Sequence, residues 1–319
     1  MDDRQRSARI VRNIRHEEKR LRRRFSILRH QDALGAYAVF ASVAGFIGSA
    51  SLYAFDVLPG WAVTVLCGFF ASILHEVEHD LIHDLYFRNK RWMQNTLYWL
   101  IWILRPNTIS PWARKPIHLL HHRVSGTEPD IEERLITNGM PFGLRRLLAL
   151  LDGALNVALR AREINRIPGM KRISLRKAGR PMVHLFYGVI LAEIALMASG
   201  QAGLLRSVFD FLIVVWVLPN VLRQFCLVFI SSSMHYFGGV DSVFRQTQVL
   251  NPWFLAPLQV FCFHFGATHG IHHFVVNQPF YLREMVRRRA HAVFRKTGVH
   301  FNDLGTFGRA NRYATINGV

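Results

Sequence analysis

The stretch Gly68-Phe69-Phe70-Ala71-Ser72-Ile73-Leu74-His75-Glu76-Val77-Glu78-His79-Asp80-Leu81-Ile82-His83 decides the fold. An uncharged run passes without a break into a cluster of histidines and acids. The run reads as a membrane helix, and its polar end as the part that leaves the lipid. Residues four apart share one helical face, so His75, His79 and His83 stand in a row. A helix over residues 57–84 would be ~42 Å long, at least two turns more than a hydrocarbon core of about 30 Å. The 75–83 face is therefore expected to project just outside the bilayer.

Working outward, residues 33–55 carry no charge and form a first span. The link Phe55-Asp56-Val57-Leu58-Pro59-Gly60 precedes the second run, which reaches Leu74. Residues 182–205 make a third run, interrupted by Glu193. A fourth starts near Val208, passes Pro219 and Arg223, and stays apolar to Met234. The expected fold is all-α: four transmembrane helices in two hairpins, with a cytosolic helical cap that carries the histidines. Residues 1–32, 84–181 and 282–319 are rich in Lys and Arg. The positive-inside rule puts the loop and both termini in the cytosol. Residues 33–281 then form the membrane domain, between a basic N-terminal tail (1–32) and a basic C-terminal tail (282–319).

Composition agrees. The 40 Lys and Arg against 21 Asp and Glu give a net charge of +19, yet mean hydropathy is +0.14. A soluble chain seldom combines the two, so the apolar residues must be segregated into runs. A basic balance suits nucleic acid or anionic headgroups. No zinc-finger, helix-turn-helix or RNA-binding signature accompanies it, so lipid is expected and nucleic acid is not. Cys67, Cys226 and Cys262 show no CxxC spacing, which leaves neither a disulfide framework nor a thiolate site. Arg22-Arg23-Arg24-Phe25-Ser26 has the look of a twin-arginine signal, but no cleavage site follows and the next run is too long. Ile10, Ile14, Leu21, Phe25 and Leu28 are spaced as the stripe of an interfacial helix; a solvated, unstructured tail is the competing reading. Residues 92–102 and 253–265 are too short to span and, rich in aromatics, suit the membrane surface.

Sixteen histidines is a high count. Two more clusters are His118-Leu119-Leu120-His121-His122 and His269-Gly270-Ile271-His272-His273, and His235 stands alone. On a helix, HxxxH and HxxHH aim two or three imidazoles at one point. Imidazole suits iron, copper, zinc and nickel. Four chain segments thus bring histidines to a metal site beside the membrane.

These motifs resemble those of the membrane fatty acid desaturase and hydroxylase family, which includes the related alkane monooxygenases. The first box is similar to His79-Asp80-Leu81-Ile82-His83 with Phe87-Arg88-Asn89 after it. The second is similar to residues 118–122 followed by Thr127-Glu128-Pro129-Asp130, the third to residues 269–273 followed by Pro279-Phe280-Tyr281. His235 matches the family's isolated histidine on the last span. The resemblance covers residues 35–290. It implies two iron ions held by His79, His83, His118, His121, His122, His235, His269, His272 and His273. Two features depart from the pattern. His75 adds a histidine on the first face, so that box could be His75 and His79; the spacing to Phe87-Arg88-Asn89 favours His79 and His83. Met234 stands where relatives often carry an acid.

Among nearby acids (Glu76, Glu78, Asp80, Glu128, Asp130), Asp80 and Asp130 are expected to accept the outer N–H of ligating imidazoles; the alternative is simple solvated acids. Glu193 is an intramembrane acid, either functional or paired with Arg223, and the pair is preferred. Trp102 and Trp112 either line a substrate channel or mark the interface. The implied chemistry is desaturation of a lipid acyl chain with O2 and external electrons. Hydroxylation of a lipid, alkane or carotenoid and oxidative decarboxylation are the alternatives on the same site. A membrane zinc hydrolase needs only about three protein ligands, and a metal transporter needs polar residues along its spans; neither matches well. The sequence lacks a dinucleotide glycine fingerprint, a cysteine iron–sulfur motif and a His-Pro-Gly-Gly haem stretch. An external donor, a ferredoxin or haem protein with its reductase, is therefore expected.

Overall fold

The computed structural model describes residues 1–170 and 181–313. Residues 171–180 of the expected cytosolic loop and 314–319 of the expected tail lie outside the described residues. Along the chain come α1 (Asp3–Arg24), α2 (Gln31–Ala54), α3 (Gly60–Ile82), α4 (Arg91–Leu104), α5 (Pro111–Val124), α6 (Ile131–Leu135), α7 (Leu144–Leu151) and α8 (Gly153–Ile164). Then follow α9 (Met182–Ala198), α10 (Leu204–Met234), α11 (Ala256–Val260), α12 (Phe265–Phe274) and α13 (Phe280–Thr297). Among the described residues the fold is all-α, with only isolated β-bridges.

Three helices are long and apolar enough to cross a membrane: α2, α3 and α10. The fourth apolar helix, α9, has 17 residues, ~26 Å at 1.5 Å each, somewhat short of a full span. The expected run 182–205 does not fold as one helix. Gly200 and Gly203 take φ of 66° and 104°, conformations open to glycine, and α9 stops at Ala198. Consequently α10 begins at Leu204, before Val208, and extends over 31 residues. Glu193 pairs with Arg206 on this neighbouring helix at 2.9 Å, not with Arg223. At ~46 Å α10 outreaches a hydrocarbon core by several turns. Helix α3 starts only at Gly60, so at ~35 Å it overhangs by about one turn, less than expected.

Helices α2 and α3 form a close hairpin. A Cβ on Gly45 would fall within the Phe70 ring, the kind of small-residue contact that lets membrane helices approach. Inside α10, residues Ile213–Val217 form a π-helical turn. Pro219 follows and has no N–H for the carbonyl four residues back. Asn220 mends this region: its Nδ2 donates to the carbonyls of Trp216 and Leu104, both at 2.9 Å. The second bond ties α10 to the end of α4.

The two basic ends pack on each other. Helix α1 opens on a capping box between Asp2 and Gln5. Its Ile10, Ile14 and Leu21, with Leu28 beyond, are buried with Val286, Ala290 and Phe294 of α13. Four of the five stripe residues thus face protein; Phe25 stays exposed. Residues 92–102 form the middle of α4, which buries Leu97, Tyr98, Ile101 and Trp102 and exposes Trp92 and Trp99. Before α12, Phe263 and His264 take φ of 46° and 55° and break the helical path. Helix α12 then starts where Gly266 crosses Leu250 so closely that a Cβ would meet the Leu250 carbonyl.

Candidate metal centre

Helices α3, α5, α10 and α12 carry their histidines to one place. The ligand atoms of His79, His83, His118, His122 and His272 lie within 4.8 Å of one another. Those of His121, His235, His269 and His273 form a second such group. The HxxHH spacing explains the division. On α5, His118 and His122 share a face and serve the first group, while His121 points to the second. On α12 the roles reverse: His269 and His273 serve the second group and His272 the first. The groups adjoin, with the rings of His122 and His273 5.0 Å apart. These are the nine histidines the resemblance implied. His75 belongs to neither group: its Nδ1 faces Arg105 at 3.0 Å.

The inner nitrogens face one another. Nε2 of His83 lies 3.0 Å from that of His118 and 3.1 Å from that of His272; Nε2 of His273 lies 3.1 Å from that of His269. Four outer nitrogens meet acceptors, while those of His79 and His272 face the Arg283 guanidinium at 3.4 and 3.2 Å. Nδ1 of His118 lies 2.6 Å from Glu132, that of His121 2.9 Å from Asp130, and that of His273 2.8 Å from the Gln246 amide oxygen. Nδ1 of His235 lies 2.9 Å from the Ser231 carbonyl. An imidazole that donates from Nδ1 presents a lone pair at Nε2. The lone pairs that His118, His235 and His273 present in this way point at neighbouring imidazole nitrogens, and the clustered donor set fits metal ions. Burial also keeps most rings neutral: His235 falls to about 3, and His269, His272 and His273 fall well below the ordinary value. For His121 burial opposes charge, but the Asp130 carboxylate outweighs it and lifts the ring to about 9.

A family model described as fatty acid desaturase matches residues 56–305. The chain belongs to the fatty acid desaturase family. No curated protein matches it. Membership makes it an oxidoreductase of lipid chains in membranes, and its histidine groups the place where this iron-dependent family can hold metal.

Of the two acids expected behind the ligands in this desaturase-family chain, Asp130 takes that position. It also caps α6 through the Glu133 N–H. Asp80 does not: it lies 3.8 Å from His79 Nδ1 and instead accepts from Tyr86 Oη, the Phe280 N–H and Arg283. The side chain after a ligand on a helix points to another face. Sequence reasoning missed Glu132, Gln246 and Arg283. Glu132 follows Asp130 by two residues, and that nearness was the one available signal. Trp102 and Trp112 donate to Thr108 and Asn95 and do not line the cavity beside the histidines. Glu132→Gln is expected to weaken iron binding at the five-imidazole group by about 10–100-fold, read by metal titration. Glu128→Gln, a change at an exposed acid, is expected to leave it unaltered.

Proposed function

We propose that each histidine group holds one iron and that the pair desaturates a lipid acyl chain. The reading is carried by one observation: nine imidazoles sort into adjoining groups of five and four. When bound, the irons supply reduction of O2 and an oxidant able to take hydrogen from an unactivated methylene. Desaturation removes two hydrogen atoms, that is two protons and two electrons, from a CH2–CH2 unit. With two external electrons and two protons, O2 leaves as two waters.

The residues of the chain position and protect this centre. Glu132, Asp130, Gln246 and the Ser231 carbonyl fix imidazole orientation through Nδ1. Apolar side chains such as Leu227, Val228 and Phe265 line the adjoining cavity and limit water. The histidines lie at the C-terminal ends of α3 and α10. With α9 as a fourth span and the basic segments inside, that end faces the cytosol. Electrons come from an external ferredoxin or haem protein with its reductase.

Metal analysis of the purified chain is expected to find two irons; a single zinc and no iron overturns the reading. Expression with a matching reductase, followed by lipid mass spectrometry, separates the reactions. Loss of two hydrogens supports desaturation, whereas gain of one oxygen replaces it with hydroxylation.

A further inference from the structure

A cavity of about 230 Å³ lies against the histidine groups, bounded by His79, His118, His121 and His269. Part of its wall is polar, built by His75, Arg105, Asn107 and Arg114. His75 is 2 % exposed and Arg105 1 %. Guanidinium groups only donate. Arg105 and Arg114 approach Nδ1 of His75 at 3.0 and 3.5 Å, so Nδ1 accepts and the proton sits on Nε2. That Nε2 has no partner, nor has Nε of Arg105. Directly behind the wall, Arg223 bonds Asn107 at 3.2 Å and leaves Nη1 unpaired. Buried polar groups are as a rule satisfied. All three unpaired atoms are donors, so what they lack is an acceptor.

Charge at this wall is mixed. Glu78 takes both Arg105 and Arg114, at 2.7 and 2.9 Å, while Arg223 hydrogen-bonds the amides of Asn107, Asn220 and Gln224. Glu132 and Glu133 also line the cavity, and Arg114 meets Glu132 at 3.3 Å, so both signs of charge are present and it is the unpaired donors that call for an acceptor. Size adds a limit. A cavity of roughly 150 Å³ admits benzene, so this one holds a segment on the order of ten heavy atoms, and any longer chain must extend out of it. His75 stands one turn, ~6 Å along α3, from His79.

We propose that this cavity grips an oxygen acceptor of the substrate (carboxylate, carbonyl or hydroxyl) on His75 and Arg105, and presents a C–H bond only a few bonds from that oxygen. The substrate is thus a lipid or shorter chain oxygenated near the carbon attacked, and His75 is a specificity residue, not a ligand. The inference rests on reading the histidine groups as the oxidising centre.

The test is saturable binding of radiolabelled octanoate, 1-octanol and n-nonane to the full-length, iron-loaded protein in nanodiscs, with empty discs subtracted. At least one oxygenated probe is expected to bind about tenfold or more tightly than nonane. Octanoate in the lead marks an anionic group, octanol a neutral one. His75→Leu is expected to erase the preference at unchanged iron content, and His75→Gln, which keeps an N–H donor, to retain most of it. Equal binding of nonane, an undiminished preference in H75L, or loss of iron from H75L overturns the proposal. Should H75L not fold, the wild-type comparison with nonane still decides. Binding is read without turnover, so a protein that desaturates nothing leaves this result intact, and the reverse holds.

Discussion

A His235→Ala variant is expected to retain one iron and to lose lipid oxidation by more than about 100-fold, beyond what changes behind a ligand cost. The second group has four imidazoles and His235 is the contribution of α10 to it, so its removal leaves His121, His269 and His273. The first group has five, and His272→Ala still leaves four. His272→Ala is therefore expected to keep more iron than His235→Ala while both lose activity. Iron content and product formation, measured on both variants, check this directly. Equal iron loss in the two would show that the groups are not unequal in the way their donor counts imply. The result also bears on Met234, where relatives often carry an acid. Met234 is buried with Ile230, Leu250 and Leu255, and His235 finds its acceptor in the Ser231 carbonyl instead. An apolar residue at 234 therefore leaves the orientation of His235 intact.

The histidine set was legible because helical spacing fixes which side chains share a face. That rule needs no knowledge of the partner helix and picked out the three clusters, while the set of nine, with His235 included and His79/His83 preferred to His75/His79, came from the family resemblance. The outer partners were less legible for the same reason. Asp80 is adjacent to His79 in sequence but points elsewhere on the helix, where Tyr86, Phe280 and Arg283 hold it. Gln246 reaches His273 from a loop 27 residues away, and no local spacing encodes such a contact. The stripe on α1 showed which face is apolar, but not that α13 covers it. Hydropathy located the apolar runs, yet the third run ended early because two glycines adopt positive φ, a backbone event that leaves mean hydropathy unchanged.

Arg283→Met is expected to destabilise the fold by about 3–5 kcal/mol, the range for removing one partner of a buried ion pair. Arg283 is 1 % exposed. Its Nη2 lies 2.7 Å from Glu76 and 3.1 Å from Asp80, both buried on α3. Methionine fills similar space and leaves two carboxylates in the interior without a cation. The same guanidinium lies against Nδ1 of His79 and His272 at 3.4 and 3.2 Å, so the damage reaches the five-imidazole group and iron is expected to fall as well. Denaturation in detergent measures the first effect and metal analysis the second. Combining R283M with Glu76→Gln and Asp80→Asn neutralises the stranded charges, and neighbours in one network couple strongly. The triple variant is therefore expected to regain more than half of the lost stability. A triple variant no more stable than R283M would mean that Arg283 acts by its shape, filling space between α13 and α3, and not by its charge.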